Sequence, residues 1–209
     1  MSKNIAELID MSTDHYFITG HHNRHELMSA ADLDDSNNTN DDIIKNMINL
    51  IAKKNTGKIY KLLRDDKKNE LPHMTDQDDE TFLHFSVFSD SYKLTKLFLK
   101  YGSDPHKRDN EGQTPLFRVV FGKNTRIIKL LLHYGAEINA QDHEGNTALH
   151  LAVLSKNYTI VKSLLSCGIN PLTQNNYDLS PLDFAVSISN NKMIIDKNIM
   201  EIFSQFEPS

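Results

Sequence analysis

Histidine clusters are the first places to look for chemistry in this chain. His21, His22 and His25 have a spacing that could present imidazole nitrogens to one metal ion. They lie in a polar stretch, without neighbours that would fix the ring orientations, and metal-binding histidines need such partners. We therefore interpret the cluster as solvated histidines and predict no metal site.

Two other histidines and the single cysteine lie in repeated sequence. His84 and His150 each follow a threonine by three residues, at an expected helix start, where structural hydrogen bonding is favoured over catalysis. Cys167 comes directly before a glycine, and the repeat places no base beside it. The sequence has no phosphate-binding loop, metal-ligand quartet or triad order. We predict that the protein is not an enzyme and uses no cofactor.

Charge is distributed unevenly along the chain. Residues 1–40 carry seven acidic side chains against Lys3 and Arg24, whereas residues 41–209 carry 21 basic and 21 acidic side chains. Nucleic-acid backbones require clustered lysine and arginine, so the balance argues against a nucleic-acid partner. No run approaches the roughly 20 apolar residues of a membrane span. The lone cysteine fits a reducing compartment. We expect a cytoplasmic monomer that does not bind membranes.

A short frame recurs every 33 residues and sets the positions of the helices. A hydroxyl residue precedes each apolar run, where it can cap free helix N–H groups; these residues are Thr81, Thr114, Thr147 and Ser180. A leucine two positions later is predicted to point into the core. A glycine further on is predicted to end the second helix in a left-handed conformation, at Gly102, Gly135 and Gly168.

A fixed period of this length indicates stacked repeats. The frame reads T-F-L-H at 81–84, T-P-L at 114–116, T-A-L-H at 147–150 and S-P-L at 180–182, and it resembles that of ankyrin repeats. The resemblance implies an all-α fold, a solenoid of stacked helix-turn-helix units with β-hairpin fingers. It divides the chain into an acidic tail at 1–40, a divergent capping helical pair and loop at 41–75, and repeats at 76–108, 109–141, 142–174 and 175–206. For the tail we expect disorder, with a short docking helix at 3–11 as the alternative.

Three departures from the frame carry predictions of their own. Phe117 and Asp183 replace the histidine of the motif. The turn between the two helices of a repeat lacks its usual glycine, and we expect left-handed residues there at Asp90, Lys123, Lys156 and Ser189. In the last repeat, six extra residues around 190–197 are predicted to lengthen the first helix or its turn.

Within the ankyrin family, two segments are similar to IκB proteins. Asp79–His84 resembles the opening IκB repeat, and Gly102-Ser103-Asp104-Pro105 resembles a middle repeat. Short IκB-like proteins of polydnaviruses have a similar repeat core. The resemblance implies an inhibitor that binds Rel/NF-κB transcription factors and suppresses host immune signalling, in the cytoplasm or nucleus of the host cell. The alternative is an ankyrin adaptor that recruits another protein, such as a ubiquitin-ligase component.

The resemblance also implies where a protein partner would bind, namely on the hairpin tips and the inner helices. Phe88, Phe121 and Leu154 recur in register, and we call them the apolar stripe. The other predicted contacts are Tyr101 and Tyr134 and, at the tips, Gln77, Asp78, Glu80, Asn110, Glu111, Gln113, His143, Glu144, Asn146 and Tyr177. The acidic tips favour a basic partner. Alternatively, the stripe is half-buried against the next repeat and the tip charges are merely solvated.

Overall fold

A computed structural model describes residues 39–189 and 192–206, with the backbone alone at 187–189 and 192–194. The tail predictions, including the 3–11 helix, lie outside this part. The elements in chain order are α1 (Asn40–Ala52), α2 (Thr56–Asp65), a 3-10 turn (Leu71–His73), α3 (Phe82–Phe88), α4 (Tyr92–Lys100), a 3-10 helix (Pro115–Phe121), α5 (Arg126–His133), α6 (Ala148–Leu154), α7 (Tyr158–Ser166), a 3-10 helix (Pro181–Ala185), β1 (Val186–Ser189), β2 (Lys192–Ile195) and α8 (Lys197–Ser204).

Two layers of helices build the repeat stack. In the inner layer, α1 packs on α3, α3 on the 3-10 helix at 115–121, that helix on α6, and α6 on the 3-10 helix at 181–185. In the outer layer, α2 packs on α4, α4 on α5, and α7 on α8. This arrangement confirms the predicted all-α repeat solenoid.

The core between the layers repeats the sequence period. The motif leucines Leu83, Leu116 and Leu149 are buried, and their counterpart at the C-terminal side, Leu182, is half-buried. The outer helices contribute equivalent buried residues in turn, namely Leu94, Ile127 and Ile160, then Phe98, Leu131 and Leu164. One hydrophobic cluster therefore runs through the whole described stack, as expected of repeats that share a core.

The glycines and prolines at the helix ends follow the predicted chemistry, whereas the predicted capping bond of the Thr114 hydroxyl is not made. Gly102, Gly135 and Gly168 have φ angles of 91°, 94° and 88°, in the left-handed region that a side chain disfavours. Pro115 and Pro181 occupy the first helical positions, where the missing N–H leaves no bond unmade.

The turn between the two helices of a repeat departs from the prediction in the second repeat. Asp90 and Lys156 are left-handed as predicted, each with φ of 54°, but Lys123 is not. The first helix of this repeat is a 3-10 helix that ends in extended backbone at Gly122, where φ is −102° and ψ is −173°. The chain therefore reaches α5 by a different route, and no left-handed residue is required.

The extra residues of the last repeat lengthen the connection to its second helix and pair there as strands, so of the two predicted alternatives the longer first helix is wrong. β1 and β2 pair antiparallel, from Val186 opposite Ile195 to Ser189 opposite Lys192. The segments V-S-I-S and K-M-I-I are rich in β-branched residues, which favours extended backbone over helix. The Asp196 N–H donates to the Ala185 carbonyl at 2.9 Å, which brings the two ends of the strand pair together. α8 then packs against α7. Ser189, predicted to be left-handed, lies in β1 instead.

Candidate protein-binding surface

An exposed pair of phenylalanines lies at the ends of two inner-layer helices. Phe88 is the last residue of α3, and Phe121 is the last residue of the neighbouring 3-10 helix. Their ring centroids are 5.6 Å apart at an interplanar angle of 61°, an edge-to-face contact. The two residues are 40% and 44% exposed, so each ring packs against the other and still presents apolar surface to solvent. Such edge-to-face contact favours one relative orientation of the rings.

The third member of the apolar stripe is less accessible. Leu154 ends α6 at the equivalent position and is half-buried against the core. The structure therefore brings Phe88 and Phe121 together as predicted, whereas for Leu154 it agrees with the half-buried alternative. We call the first two residues the Phe88–Phe121 pair.

The backbone that follows Phe121 is held from both sides, by Asp90 of the preceding repeat and Asn157 of the following one. The Asp90 carboxylate accepts from the N–H groups of Lys123 and Asn124 at 3.3 and 3.0 Å. Asn157 Nδ2 donates to the carbonyls of Val120 and Gly122 at 2.9 and 2.8 Å. A side chain at Gly122 would place its Cβ 2.3 Å from Asp90 Oδ1, so this close approach requires glycine.

Asp90 and Asn157 were missed as determinants of the surface. Sequence reasoning assigned them only to turns, because it could not show that their side chains reach adjacent repeats. The repeated position of Asp90 and the asparagines beside its counterparts were the available signals. Their contacts fix the position from which the Phe121 side chain projects.

The finger tips share one hydrogen-bonding pattern. Near the base of each tip, one side-chain oxygen accepts from the N–H groups two and four residues later, at 2.8–3.1 Å. The accepting residues are Asp76, Asp109, Asp142 and Asn175. Successive tips are also joined by backbone bonds, for example from the His143 N–H to the Glu111 carbonyl at 3.0 Å. The tips therefore form one ladder with fixed spacing.

This geometry agrees with the comparison with known protein families. The family model described as ankyrin repeats (3 copies) matches residues 24–142, 83–175 and 119–196. The chain belongs to the ankyrin repeat family. Ankyrin repeats are protein–protein interaction modules and are generally non-catalytic. No curated protein matches the sequence as a relative.

The ankyrin tips expose some of the predicted contact residues and bury others. Gln77, Asp78, Asn110, His143 and Tyr177 are exposed, and Glu111 and Glu144 are half-buried. The prediction is wrong for the accessibility of Glu80, Gln113 and Asn146, which are 2%, 2% and 0% exposed. These three stand four residues after the accepting Asp76, Asp109 and Asp142, where the backbone turns inward to begin the next helix.

A buried arginine explains why Glu80 points inward. Arg118 Nε donates to Glu80 Oε1 at 2.8 Å, and the same guanidinium contacts Asp109 and Gln113. The three charged side chains are almost fully buried, so each charge needs the others in place of water. Burial raises the pKa of Asp109, against the lowering influence of Arg118 and two backbone N–H donors. Glu80 is therefore a structural ion-pair partner and adds no charge to the tip surface.

The two motif histidines bridge consecutive ankyrin repeats. His84 Nδ1 accepts from the Thr81 N–H at 3.1 Å, and its Nε2 lies 3.1 Å from the Gln113 carbonyl. His150 makes the same contacts with the Thr147 N–H and the Leu179 carbonyl, both at 3.0 Å. This geometry requires a neutral ring with its proton on Nε2. Burial lowers the pKa of both His84 and His150 to about 4, which agrees with structural rather than proton-transfer roles.

The tyrosines predicted as contacts lie away from the Phe88–Phe121 pair. Tyr101 and Tyr134 directly follow α4 and α5, and α4 runs about 13 Å along its axis from the turn after Phe88. Tyr101 is half-buried with its ring 6.4 Å from that of Tyr60, and Tyr134 is exposed beside His133. The structure does not join these tyrosines to the apolar stripe.

The remaining candidates for chemistry are the three N-terminal histidines and Cys167. His21, His22 and His25 lie outside the described residues. Within residues 39–189 and 192–206, no group of three or more histidine, cysteine or acidic side chains is arranged to hold a metal ion. Cys167 is half-buried at the end of α7. None of the helices described is long and apolar enough to span a bilayer.

Proposed function

We propose that this ankyrin stack binds a protein partner across the Phe88–Phe121 pair and the adjoining finger tips. The observation that carries the proposal is the exposed contact between two aromatic rings at a centroid distance of 5.6 Å. Aromatic side chains that are already ordered lose little entropy on binding and are frequent interface anchors. Asp90 and Asn157 hold the adjoining backbone and so support such preorganisation.

The charge of the tips indicates the kind of partner. Asp78, Glu111 and Glu144 recur at equivalent positions on successive tips; Asp78 is exposed, and Glu111 and Glu144 are half-buried. Aligned acidic groups attract a basic surface and accelerate its association. The proposed partner therefore combines an apolar patch with surrounding lysine or arginine.

We further propose that the partner is a Rel-type transcription factor and that the protein acts as an IκB-like inhibitor of host immune signalling. The similarity of Asp79–His84 and of Gly102–Pro105 to IκB repeats supports this identification. Such an inhibitor would act in the cytoplasm, with the nucleus as a second compartment, during a virus–host interaction.

The test is titration of a purified Rel homology domain with the full chain, monitored by calorimetry. We expect binding with a Kd in the micromolar range or tighter. Phe88→Ala combined with Phe121→Ala should weaken binding by about 30-fold per ring, because an anchoring aromatic contributes about 2 kcal/mol. The matched control is Leu62→Ala with Met200→Ala, which truncates two exposed apolar residues of the outer layer.

The possible outcomes test the identity of the partner and the location of the binding surface separately. If no binding is detected at about 10 μM, the binding free energy is weaker than roughly −7 kcal/mol and the Rel-type partner is excluded. Unchanged affinity of the double phenylalanine variant, with circular dichroism showing an intact fold, excludes the Phe88–Phe121 pair as the anchor. Equal losses in the control variant would also contradict the proposed surface.

A further inference from the structure

Four of the five outer-layer helices carry charged side chains that are almost all basic, whereas the fifth, α8, contains Glu201. α4, α5 and α7 contain no acidic residue, and α2 contains only Asp65, whose carboxylate pairs with Arg64 at 2.9 Å. Besides Arg64, these four helices expose eight basic side chains, namely Lys58, Lys61, Lys93, Lys96, Lys100, Arg126, Lys129 and Lys162. We call them the outer basic row. The overall balance of charge hides this row, because most acidic residues of the repeats lie on the fingers.

The repeat period aligns the row along the stack. Lys96, Lys129 and Lys162 occupy equivalent positions in three successive repeats, and Lys93 has the same relation to Arg126. Because packed helices lie about 8–10 Å apart, successive charges are separated by about one Debye length at physiological salt. Their potentials therefore add, and the row attracts extended anions more strongly than any single lysine would.

Nothing in the described part of the chain neutralises the row. The ion pairs within residues 39–189 and 192–206 join Arg64 to Asp65, Lys68 to Glu70, and Arg118 to Glu80 and Asp109. Arg126 lies over the Tyr92 ring at 4.6 Å, a contact that leaves its charge in place. No large exposed hydrophobic residue lies on α4, α5 or α7, and the exposed Tyr60 and Leu62 are confined to α2, at one end of the row. The row therefore suits a polar, acidic occupant better than a membrane surface or an apolar helix.

The chain itself supplies such an occupant. Residues 1–38 contain seven acidic side chains and only two basic ones, and they join the stack at Thr39, the N-cap of α1. Fully extended, 38 residues span at most about 130 Å, several times the roughly 20 Å between Lys96 and Lys162 across two repeat spacings, so chain length permits the contact. Covalent attachment also raises the effective concentration of these carboxylates to the millimolar range.

We propose that residues 1–38 bind across the outer basic row through their carboxylates. This contact lies on the opposite layer from the Phe88–Phe121 pair and is independent of the proposed Rel-type partner. It screens the row from other anions, including nucleic acids and acidic proteins. It also accounts for the opposite charges of residues 1–38, which are acidic, and of the outer basic row.

The test is zero-length carbodiimide cross-linking of the full chain, which joins a carboxylate to an amine only when they touch. Mass spectrometry would compare links from Glu7, Asp10, Asp14, Glu26, Asp32, Asp34 and Asp35 to each lysine. We expect Lys96, Lys129 and Lys162 to form several-fold more links than Lys45, Lys53 and Lys68. This excess should be lost at about 0.5 M salt, where the Debye length falls to about 4 Å. Lys45 and Lys53 are stringent controls, because they are closer to the tail in sequence.

A pair of variants checks the result without relying on the linked residues. Lys96→Gln, Lys129→Gln and Lys162→Gln together should shift the amide NMR signals of residues 26–35 towards their high-salt positions. The matched triple variant Lys45→Gln, Lys53→Gln and Lys68→Gln should leave those signals unchanged. Circular dichroism would establish that both variants remain folded.

Three results would overturn the proposal. The first is cross-linking of the row no stronger than that of the control lysines. The second is unchanged tail amide signals in the Lys96, Lys129 and Lys162 variant. The third is linkage only between isotopically labelled and unlabelled chains in a mixture, which would assign the contact to a second copy. None of these readouts depends on a Rel homology domain, so the proposal fails or stands separately from the proposed function.

Discussion

At the scale of single residues, the fourth position of the T-x-L-H frame decides how each repeat begins. His84 and His150 accept from the capping threonine, and Asp183 replaces them by accepting from the Ser180 N–H and hydroxyl at 2.7 Å. Phe117 offers no acceptor. As a result, the Thr114 hydroxyl is buried with no hydrogen-bond partner among the described residues. The same sequence position therefore contributes differently to stability in each repeat.

This difference predicts opposite effects of one substitution in two repeats. Thr147→Val removes the hydroxyl that contacts His150 Nδ1 at 3.0 Å, and should lower the free energy of unfolding by about 1 kcal/mol. Thr114→Val removes a hydroxyl without a partner, and should leave stability unchanged or raise it by up to about 1 kcal/mol. Urea denaturation of both variants gives the comparison. Equal destabilisation at the two positions would contradict this account.

At the scale of elements, the fingers are coupled through close backbone contact. Gly145 has φ of 79°, and a Cβ there would lie 2.8 Å from the Asn176 backbone nitrogen in the next finger. Gly168 has a similar φ of 88°, but a Cβ there would meet no atom within 4 Å. Both positions disfavour a side chain conformationally, and only the first also excludes it sterically.

Substitutions at the two glycines therefore separate the cost of left-handed backbone strain from the cost of a steric clash with the next finger. Gly168→Ala should lower the free energy of unfolding by about 1 kcal/mol, through left-handed strain alone. Gly145→Ala should lower it by about 1–3 kcal/mol more, since the neighbouring finger must move. Denaturant titration measures both effects, and hydrogen exchange should show lost protection at residues 175–179 only in the Gly145 variant. The idea is wrong if the two variants lose the same stability.

At the scale of the whole molecule, the two histidines that bridge repeats keep all their hydrogen bonds only as neutral rings. His84 and His150 each hold a bond from Nε2 to the next repeat, and protonation of Nδ1 would remove the acceptor for the Thr81 or Thr147 N–H of their own repeat. Their pKa of about 4 in the folded protein lies below the ordinary value of 6.5. The unfolded chain therefore binds more protons between these two values, and stability must fall as the pH falls through this range.

We expect the free energy of unfolding to decrease by about 2 kcal/mol for each of the two histidines between pH 7 and pH 4.5. The raised pKa of Asp109 acts in the opposite direction and reduces the total. Urea denaturation at both pH values measures the change. His150→Gln should remove about half of the histidine contribution, whereas His106→Gln, at an exposed position, should not alter it. A pH-independent stability in the wild-type protein would rule out this mechanism.

The sequence alone determined the repeat register and the chemistry of its fixed points. The caps at Thr81 and Thr147, the left-handed glycines and the buried leucines follow from local rules, because each depends on residue type and the 33-residue period. The Phe88–Phe121 pair could be placed for the same reason. Its role in binding stays a prediction.

Tertiary structure decided what depends on contacts between repeats. Glu80, Gln113 and Asn146 are buried because Arg118 and the tip ladder draw them inward, and no property of a single repeat indicates this. Asp90 and Asn157 reach into neighbouring repeats, and the extra residues near the C-terminus pair as strands. Periodicity shows which positions are equivalent. Only the packed molecule shows which of those equivalent side chains meet a partner, because long-range partners depend on distances that a one-dimensional pattern does not contain.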